Sequence, residues 1–420
     1  MPPFGCRPSG IRLIELAMTI ETTLVILFSV ATAAAITARR LKIPYTAILV
    51  IAGMLIGALG AVNPPRLTRD LLFAVILPGL LFEAAFNLDV GIFLRNKMAI
   101  SALAIPGVIA AIFLAGAGTA LAISGMSSHT GFTLEQGLVF GALVAATDPI
   151  AVVAIFKELH VPVRLATLVE GESLLNDGTS IVLLTLLLSA VTGESTGLGQ
   201  LVLRFILIVG GGVALGFAAG AVASKLISRI DDAVIEITIT VITAYGTFAL
   251  AEQIGVSGVI ATVVAGMHCG TYAWTESMSR KTRLALDAFW EYIAFALNSV
   301  VFLLIGFEVS TSALLAAWPE ILLAFVVVVV ARALVVYGVG GLLNRTRERI
   351  PSGWLAVMTW GGLRGALSMV LALALPFDFP NRDLLITLTF GVVLLSILVQ
   401  GLTMQPLLRR VGLAPNGASA

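Results

Sequence analysis

Charged side chains are scarce in this chain, at 12% of 420 residues, about half the share of a soluble domain, and that scarcity excludes a water-soluble globular fold. Cysteine occurs only at Cys6 and Cys269, too little for a disulfide framework or a thiolate metal cluster. Histidine is limited to His129, His160 and His268, in loops or near a span end, so transition-metal transport is disfavoured. No G-x-x-x-x-G-K-[ST] string is present, so nothing encodes the phosphate-cradling loop of an ATP-driven machine. Neither ATP nor nucleic acid is expected as a partner, no cofactor is implied, and no enzymatic chemistry is indicated. The formal net charge of +1 says nothing about soluble partners.

What is abundant is apolar. Hydrophobic residues fill 59% of the positions and the mean hydropathy is +1.05. Apolar runs recur along the whole length, each near the ~20 residues that a helix needs to cross a bilayer. Thirteen spans are expected: 20 to 38, 45 to 62, 70 to 88, 99 to 124, 135 to 157, 164 to 191, 200 to 224, 233 to 252, 256 to 272, 284 to 307, 313 to 343, 353 to 376 and 384 to 407. The fold class is therefore an all-α polytopic membrane protein. Residues 20 to 410 form one transmembrane domain in lipid, 1 to 19 read as an N-terminal extension, and 411 to 420 as a short tail. Met18, followed by Thr-Ile-Glu, reads as a natural start, and no gap between spans has room for a soluble domain.

Lys and Arg set the orientation, because cytoplasmic loops retain them. Seventeen lie in loops after odd-numbered spans or in the tail, whereas loops after even-numbered spans hold only Arg66, Arg69 and Arg382. The N-terminus is expected outside and the C-terminus inside, in the plasma membrane.

Two spans carry breaks. Span five reads A-A-T-D-P-I, and Pro149 cannot supply the amide that would bond the Ala145 carbonyl. The residue before a proline is also pushed out of helical dihedrals, so the helix is expected to unwind at Thr147 and Asp148. A plain proline kink would need no acid beside it. Asp148 is such an acid, and an ionisable group at membrane depth marks a functional site. Span twelve reads W-G-G-L-R-G-A, a glycine cluster around Arg364 and the second expected interruption. If spans one to six and eight to thirteen are two six-helix halves joined by span seven, the halves have opposite topology and the two breaks correspond. Crossed, interrupted helices in inverted repeats point to a transporter's midplane site.

Span six carries G-E-S-L-L-N-D-G. Ser173 and Asp177 are four apart and share one helix face; Glu172 and Asn176 share another about 100° round. Asn176 reads equally well as a simple interhelical hydrogen-bonding residue. Two more charges, Glu83 and Arg332, interrupt apolar runs. Lone charges in lipid are costly, so pairs are expected, Glu172 with Arg332 and Glu83 with Arg364, although the pattern does not fix which meets which. Their expected role is architectural.

Asp148, Asp177, the hydroxyls of Thr147 and Ser173, and carbonyls released by Pro149 form an all-oxygen set suited to a hard monovalent cation. A carboxylate removed from water favours its proton, and a bound cation favours the charged form. Such a site holds either H+ or the cation, and that competition is exchange. A cation channel, or a proton-conducting subunit of a larger membrane complex, uses similar oxygens and is the alternative.

The strings A-T-D-P at 146 to 149, G-E-S-L-L-N-D-G at 171 to 178 and G-G-L-R-G at 361 to 365 resemble the cation:proton antiporter superfamily, in its NhaP-type sodium/proton branch related to animal sodium/proton exchangers. The resemblance implies Thr147, Asp148, Ser173 and Asp177 as ligands of Na+, Li+ or K+, with Asp177 central to proton exchange. Asn176 before Asp177 implies the electroneutral branch. It also implies that Glu172, Arg332, Glu83 and Arg364 brace a core bundle, built around spans 99 to 191 and 313 to 407. That bundle would move against a scaffold within a homodimer.

Overall fold

The computed structural model describes residues 25–38, 40–41, 43–59, 68–126, 131–191, 197–275, 279–308 and 311–413. The expected extension 1 to 19, the Met18 start and most of the 411 to 420 tail lie outside them. The described residues are mostly helical, joined by turns and short irregular stretches, with no strand, as lipid demands of a chain that must satisfy its own backbone. Seven helices among them are long and apolar enough to cross a membrane: Lys97–Ser124, Val163–Val191, Leu198–Ile227, Ala233–Ile254, Arg280–Glu308, Trp318–Leu343 and Arg382–Arg410. Shorter apolar helices cover Val25–Ala38, Tyr45–Gly57, Leu72–Phe86, Leu134–Leu143 and Gly258–Tyr272.

The chain divides into two compact units. In the smaller, made of residues up to Leu67 with Asn298–Val309, the Tyr45 and Ser299 hydroxyls are hydrogen-bonded. Leu49, Val50, Leu303 and Leu304 are buried there.

The larger unit, Thr68–Leu297 with Ser310–Ala420, holds two apolar cores. One gathers Phe82, Phe86, Ala244, Leu286 and Trp290; the indole N–H of Trp290 donates to Thr240 Oγ1 at 3.1 Å, which spares a buried donor its desolvation cost. The other gathers Ile100, Leu103, Val152, Phe156, Leu168, Val336, Met358 and Leu363, and the two broken helices run through it.

Local sequence explains the boundaries that place those broken helices. Thr133 and Gln136 form a reciprocal cap at the start of Leu134–Leu143, satisfying two amides that a helix start leaves open. That half-helix lies directly on Lys97–Ser124, because Gly137 and Gly116 let two backbones touch; a Cβ on Gly116 would sit 2.7 Å from the Gly137 carbonyl oxygen. The Lys97–Ser124 helix is in turn capped from outside. Glu348, in the turn before the second broken helix, accepts the Ala99 amide at 2.7 Å and the Met98 amide at 3.3 Å. Arg164, at the start of Val163–Val191, donates to Asn96 Oδ1 at 2.8 Å and to the Arg349 carbonyl at 3.1 Å. One end of the unit is thus clasped by polar contacts linking two helices and a turn.

Candidate functional site

The first broken helix consists of Leu134–Leu143 and Ile150–Glu158, separated by non-helical residues 144–149. The break therefore opens earlier than Thr147, at Val144. The second consists of Ser352–Trp360 and Ala366–Leu373, separated by Gly361 to Gly365. The two breaks meet backbone to backbone: the Asp148 amide donates to the Leu363 carbonyl at 2.8 Å. Gly365 makes this approach feasible, since a Cβ there would lie 2.8 Å from the Asp148 carboxyl carbon.

Carbonyls freed by Pro149 do not stand open. The Ala145 carbonyl accepts from Arg364 Nη1 at 2.7 Å and from Asn176 Nδ2 at 3.0 Å, and the Ala146 carbonyl accepts from Arg364 Nη1 at 3.2 Å. Ser173 Oγ donates to the Thr147 carbonyl. This departs from the expected ligand set. The released carbonyls are occupied by side-chain donors, because in a low-dielectric interior an unpaired carbonyl costs more than recruiting a donor from a neighbouring helix.

The carboxylates are differently placed. Asp148 Oδ1 accepts the Ile150 amide at 3.0 Å, and the side chain is only half-buried. Asp177 is also half-buried, and among the described residues nothing donates a hydrogen bond to it. The hydroxyls sit beside these acids: Thr147 Oγ1 accepts from Asn176 Nδ2 at 3.2 Å, and Ser173 is one turn from Asp177 on the same helix. Thr147, Asp148, Ser173, Asn176 and Asp177 are thus brought into one neighbourhood.

Glu172 and Arg332 form the expected pair. Both guanidinium nitrogens of the fork donate to both carboxylate oxygens at 2.6 Å, and Arg332 Nη2 also reaches the Met358 carbonyl at 3.2 Å. Glu172 is 1% exposed and Arg332 7%, so each charge depends on the other. The second expected pair, Glu83 with Arg364, does not form. Arg364 is spent on the Ala145 and Ala146 carbonyls, while Glu83 accepts from Asn87 Nδ2 at 2.8 Å, one turn along its own helix. The physical reason is that a broken helix exposes carbonyl dipoles, and these compete successfully for a buried guanidinium. Charge counting along a sequence cannot see that competition.

Two supporting residues escaped the sequence reading. Ser396 accepts the Arg364 amide at 3.0 Å and donates to the Val393 carbonyl at 2.8 Å, fixing the backbone inside the second break. Ser180 donates to Asn176 Oδ1 at 2.7 Å, which leaves the Asn176 amide nitrogen to face the broken helix. In sequence Ser396 is a single hydroxyl in an apolar run, and Ser180 follows Thr179 at the end of the polar N-D-G-T-S stretch. Ser396 with Gln400, and Asn176 with Ser180, at four-residue spacing were the available signal.

Two broken helices joined backbone to backbone, with partly buried acids at the break, in an all-helical membrane fold, fit a secondary-transporter architecture. The chain belongs to the sodium/hydrogen exchanger family: the profile described as "Sodium/hydrogen exchanger, transmembrane" matches residues 25–410. Among its relatives, the Na+/H+ antiporter ApNhaP of Aphanothece halophytica is 38% identical over 386 residues, covering 91% of this chain and 73% of that protein. The low-affinity Na+/H+ antiporter NhaS1 of Synechocystis is 38% identical over 409 residues, covering 95% and 76%. In fold, the chain is similar to the sodium proton antiporter MjNhaP1 of Methanocaldococcus jannaschii, with a TM-score of 0.75 at 19% identity over 94% of this chain and 99% of that one.

Proposed function

We propose that this protein exchanges a monovalent cation, Na+ or by the same chemistry Li+ or K+, for H+ across the plasma membrane. The observation that carries this reading is the environment of Asp177. It is a partly buried carboxylate with no hydrogen-bond donor among the described residues, one turn along the helix from Ser173, whose hydroxyl donates to the carbonyl of Thr147, the residue before Asp148. Either a cation or a proton relieves the negative charge, and the two compete for it. Thr147 and Ser173 supply hydroxyl oxygens to the cation. Asn176 positions the break, while Arg364 and the Glu172–Arg332 pair hold the surrounding backbone. The exchange is electroneutral, one charge for one charge, and needs no ATP and no cofactor.

The membrane arrangement that accompanies this reading has thirteen crossings, an outside N-terminus and an inside C-terminus. Its six-helix halves are inverted repeats around span seven. The bundle containing 99 to 191 and 313 to 407 carries the site from one side to the other against the remaining helices, in a homodimer. Support comes from paired breaks joined by the Asp148 amide and Leu363 carbonyl and from the family's membership.

The test is Na+-dependent pH change in proteoliposomes with the membrane potential clamped. Asp177→Asn, nearly isosteric, is expected to abolish exchange while leaving a monodisperse protein. Undiminished exchange in that variant refutes the reading, and cation flux without any pH change replaces it with a channel.

A further inference from the structure

Away from the carboxylates, an open groove of about 420 Å3 lies between Trp318–Leu343, Ser352–Trp360 and the end of Arg382–Arg410. Its wall is apolar along Ala356, Trp360, Pro406 and Leu407, and Tyr337 and Arg410 also line it. Trp360 Nε1 donates to Thr403 Oγ1 at 2.8 Å, so the polar groups at that end are already joined and the wall suits an apolar occupant. From Thr403 to Arg410 the helix rises about 10 Å, enough for the upper part of one acyl chain.

The Arg410 end is basic. Gly353 packs against the Val411 side chain, which puts the start of Ser352–Trp360 level with the end of the last helix. Arg345, Arg347 and Arg349, in the turn before Ser352, and Arg409 and Arg410, at the end of the last helix, are all exposed. The acid among them, Glu348, is committed to the Met98 and Ala99 amides. Basic recesses between transmembrane helices at the membrane boundary recognise anionic headgroups.

We propose that this groove is a binding site for one anionic phospholipid, with an acyl chain along Ala356, Trp360, Pro406 and Leu407 and the phosphate at Arg410. A neutral lipid would cover the apolar wall equally well; the arginine cluster selects the anionic one. Trp360 is the residue before Gly361, so the bound chain lies against the second broken helix itself.

The experiment is native mass spectrometry of the full chain released from vesicles of equal phosphatidylglycerol and phosphatidylcholine. Wild type is expected to retain phosphatidylglycerol preferentially, and Arg410→Glu to cut that preference about tenfold. Arg410→Gln, which keeps much of the side-chain stem, is expected to give a smaller drop and covers the case in which charge reversal harms folding. Ala356→Phe, which fills the groove, is expected to reduce retention of both lipids. Phosphatidylglycerol is expected to raise the melting midpoint of wild type in detergent, whereas inorganic phosphate leaves it unchanged. An unaltered lipid preference in both Arg410 variants, or equal stabilisation by inorganic phosphate, overturns the proposal. None of these readouts involves transport, so the result is independent of the exchange reaction.

Discussion

The Asp148 amide donates to the Leu363 carbonyl at 2.8 Å, so a residue in the first broken helix is hydrogen-bonded to the middle of the second. Each interruption thereby satisfies part of the other's exposed backbone. Arg364, next in sequence to Leu363, does the same from its side chain by donating to Ala145 and Ala146. The two breaks are a single hydrogen-bonded unit, and disturbing either is expected to move Asp148.

Gly365→Ala tests that unit most directly. The new methyl would meet the Asp148 carboxyl group, whose carbon lies 2.8 Å from the ideal Cβ position, and the neighbour cannot retreat without losing its amide bond to Leu363. We expect a fall in exchange rate of up to ~100-fold, the cost that misplacing a reacting group by about 1 Å can carry. Purified yield and melting midpoint are expected to change far less. Initial rates in proteoliposomes beside a melting curve settle the comparison.

Removing half of the Glu172–Arg332 pair should hurt stability more than removing both. Glu172→Leu leaves an uncompensated guanidinium in a buried site, with an expected cost of about 3–5 kcal/mol, whereas an apolar replacement of both partners is often near neutral. Thermal melting of Glu172→Leu, Arg332→Leu and the double variant forms a cycle. Additive losses in the double variant would mean that the pair does not couple.

Asn176 is expected to tolerate Ala better than Asp. Its amide nitrogen donates to the Ala145 carbonyl and to Thr147 Oγ1, and an ionised carboxylate there faces oxygen where a donor is required. Asn176→Ala costs a hydrogen bond or two, about 1 kcal/mol each, and leaves Ala145 with its Arg364 donor. A melting midpoint for Asn176→Asp at pH 8 equal to that of Asn176→Ala would contradict this.

The proposed competition between H+ and cation at one pair of acids would fix the sign of the pH dependence. As pH falls, protons occupy the site, so the apparent KM for Na+ rises, toward about tenfold per pH unit in the fully competitive limit, while the maximal rate changes much less. Rates over a matrix of Na+ concentration and pH check this. A falling maximal rate at constant KM would place the proton elsewhere.

Glu348→Ala addresses the external cap of Lys97–Ser124. Two amides lose their acceptor, and the expected loss is about 1 kcal/mol. It should appear as a lower melting midpoint and as faster amide exchange at Met98 and Ala99, with the affinity for Na+ unaltered.

Much of this molecule was legible along the chain. The apolar runs gave the helical membrane class, and Pro149 beside Asp148 gave the first break, because a missing amide is a covalent fact. The Ser173, Asn176 and Asp177 spacing gave a polar helix face. Where reading failed, the missing information was competition. Arg364 was expected to seek Glu83, yet it found the carbonyls of Ala145 and Ala146, some 218 residues away in sequence. Ser396 was passed over because a single hydroxyl in an apolar run has no partner until the helices pack.

What the sequence determined by itself, then, was the kind of solvent this chain requires, the positions at which its helices fail, and which charges would be too costly to leave bare. Tertiary structure decided which partner each charge took and which oxygens stayed open, leaving Asp177 without a donor among the described residues while occupying the carbonyls beside Pro149. The reason is that periodicity and proline chemistry act within a few residues, whereas the choice among buried hydrogen-bond partners is made by distance in three dimensions, between segments that the chain brings together only on folding.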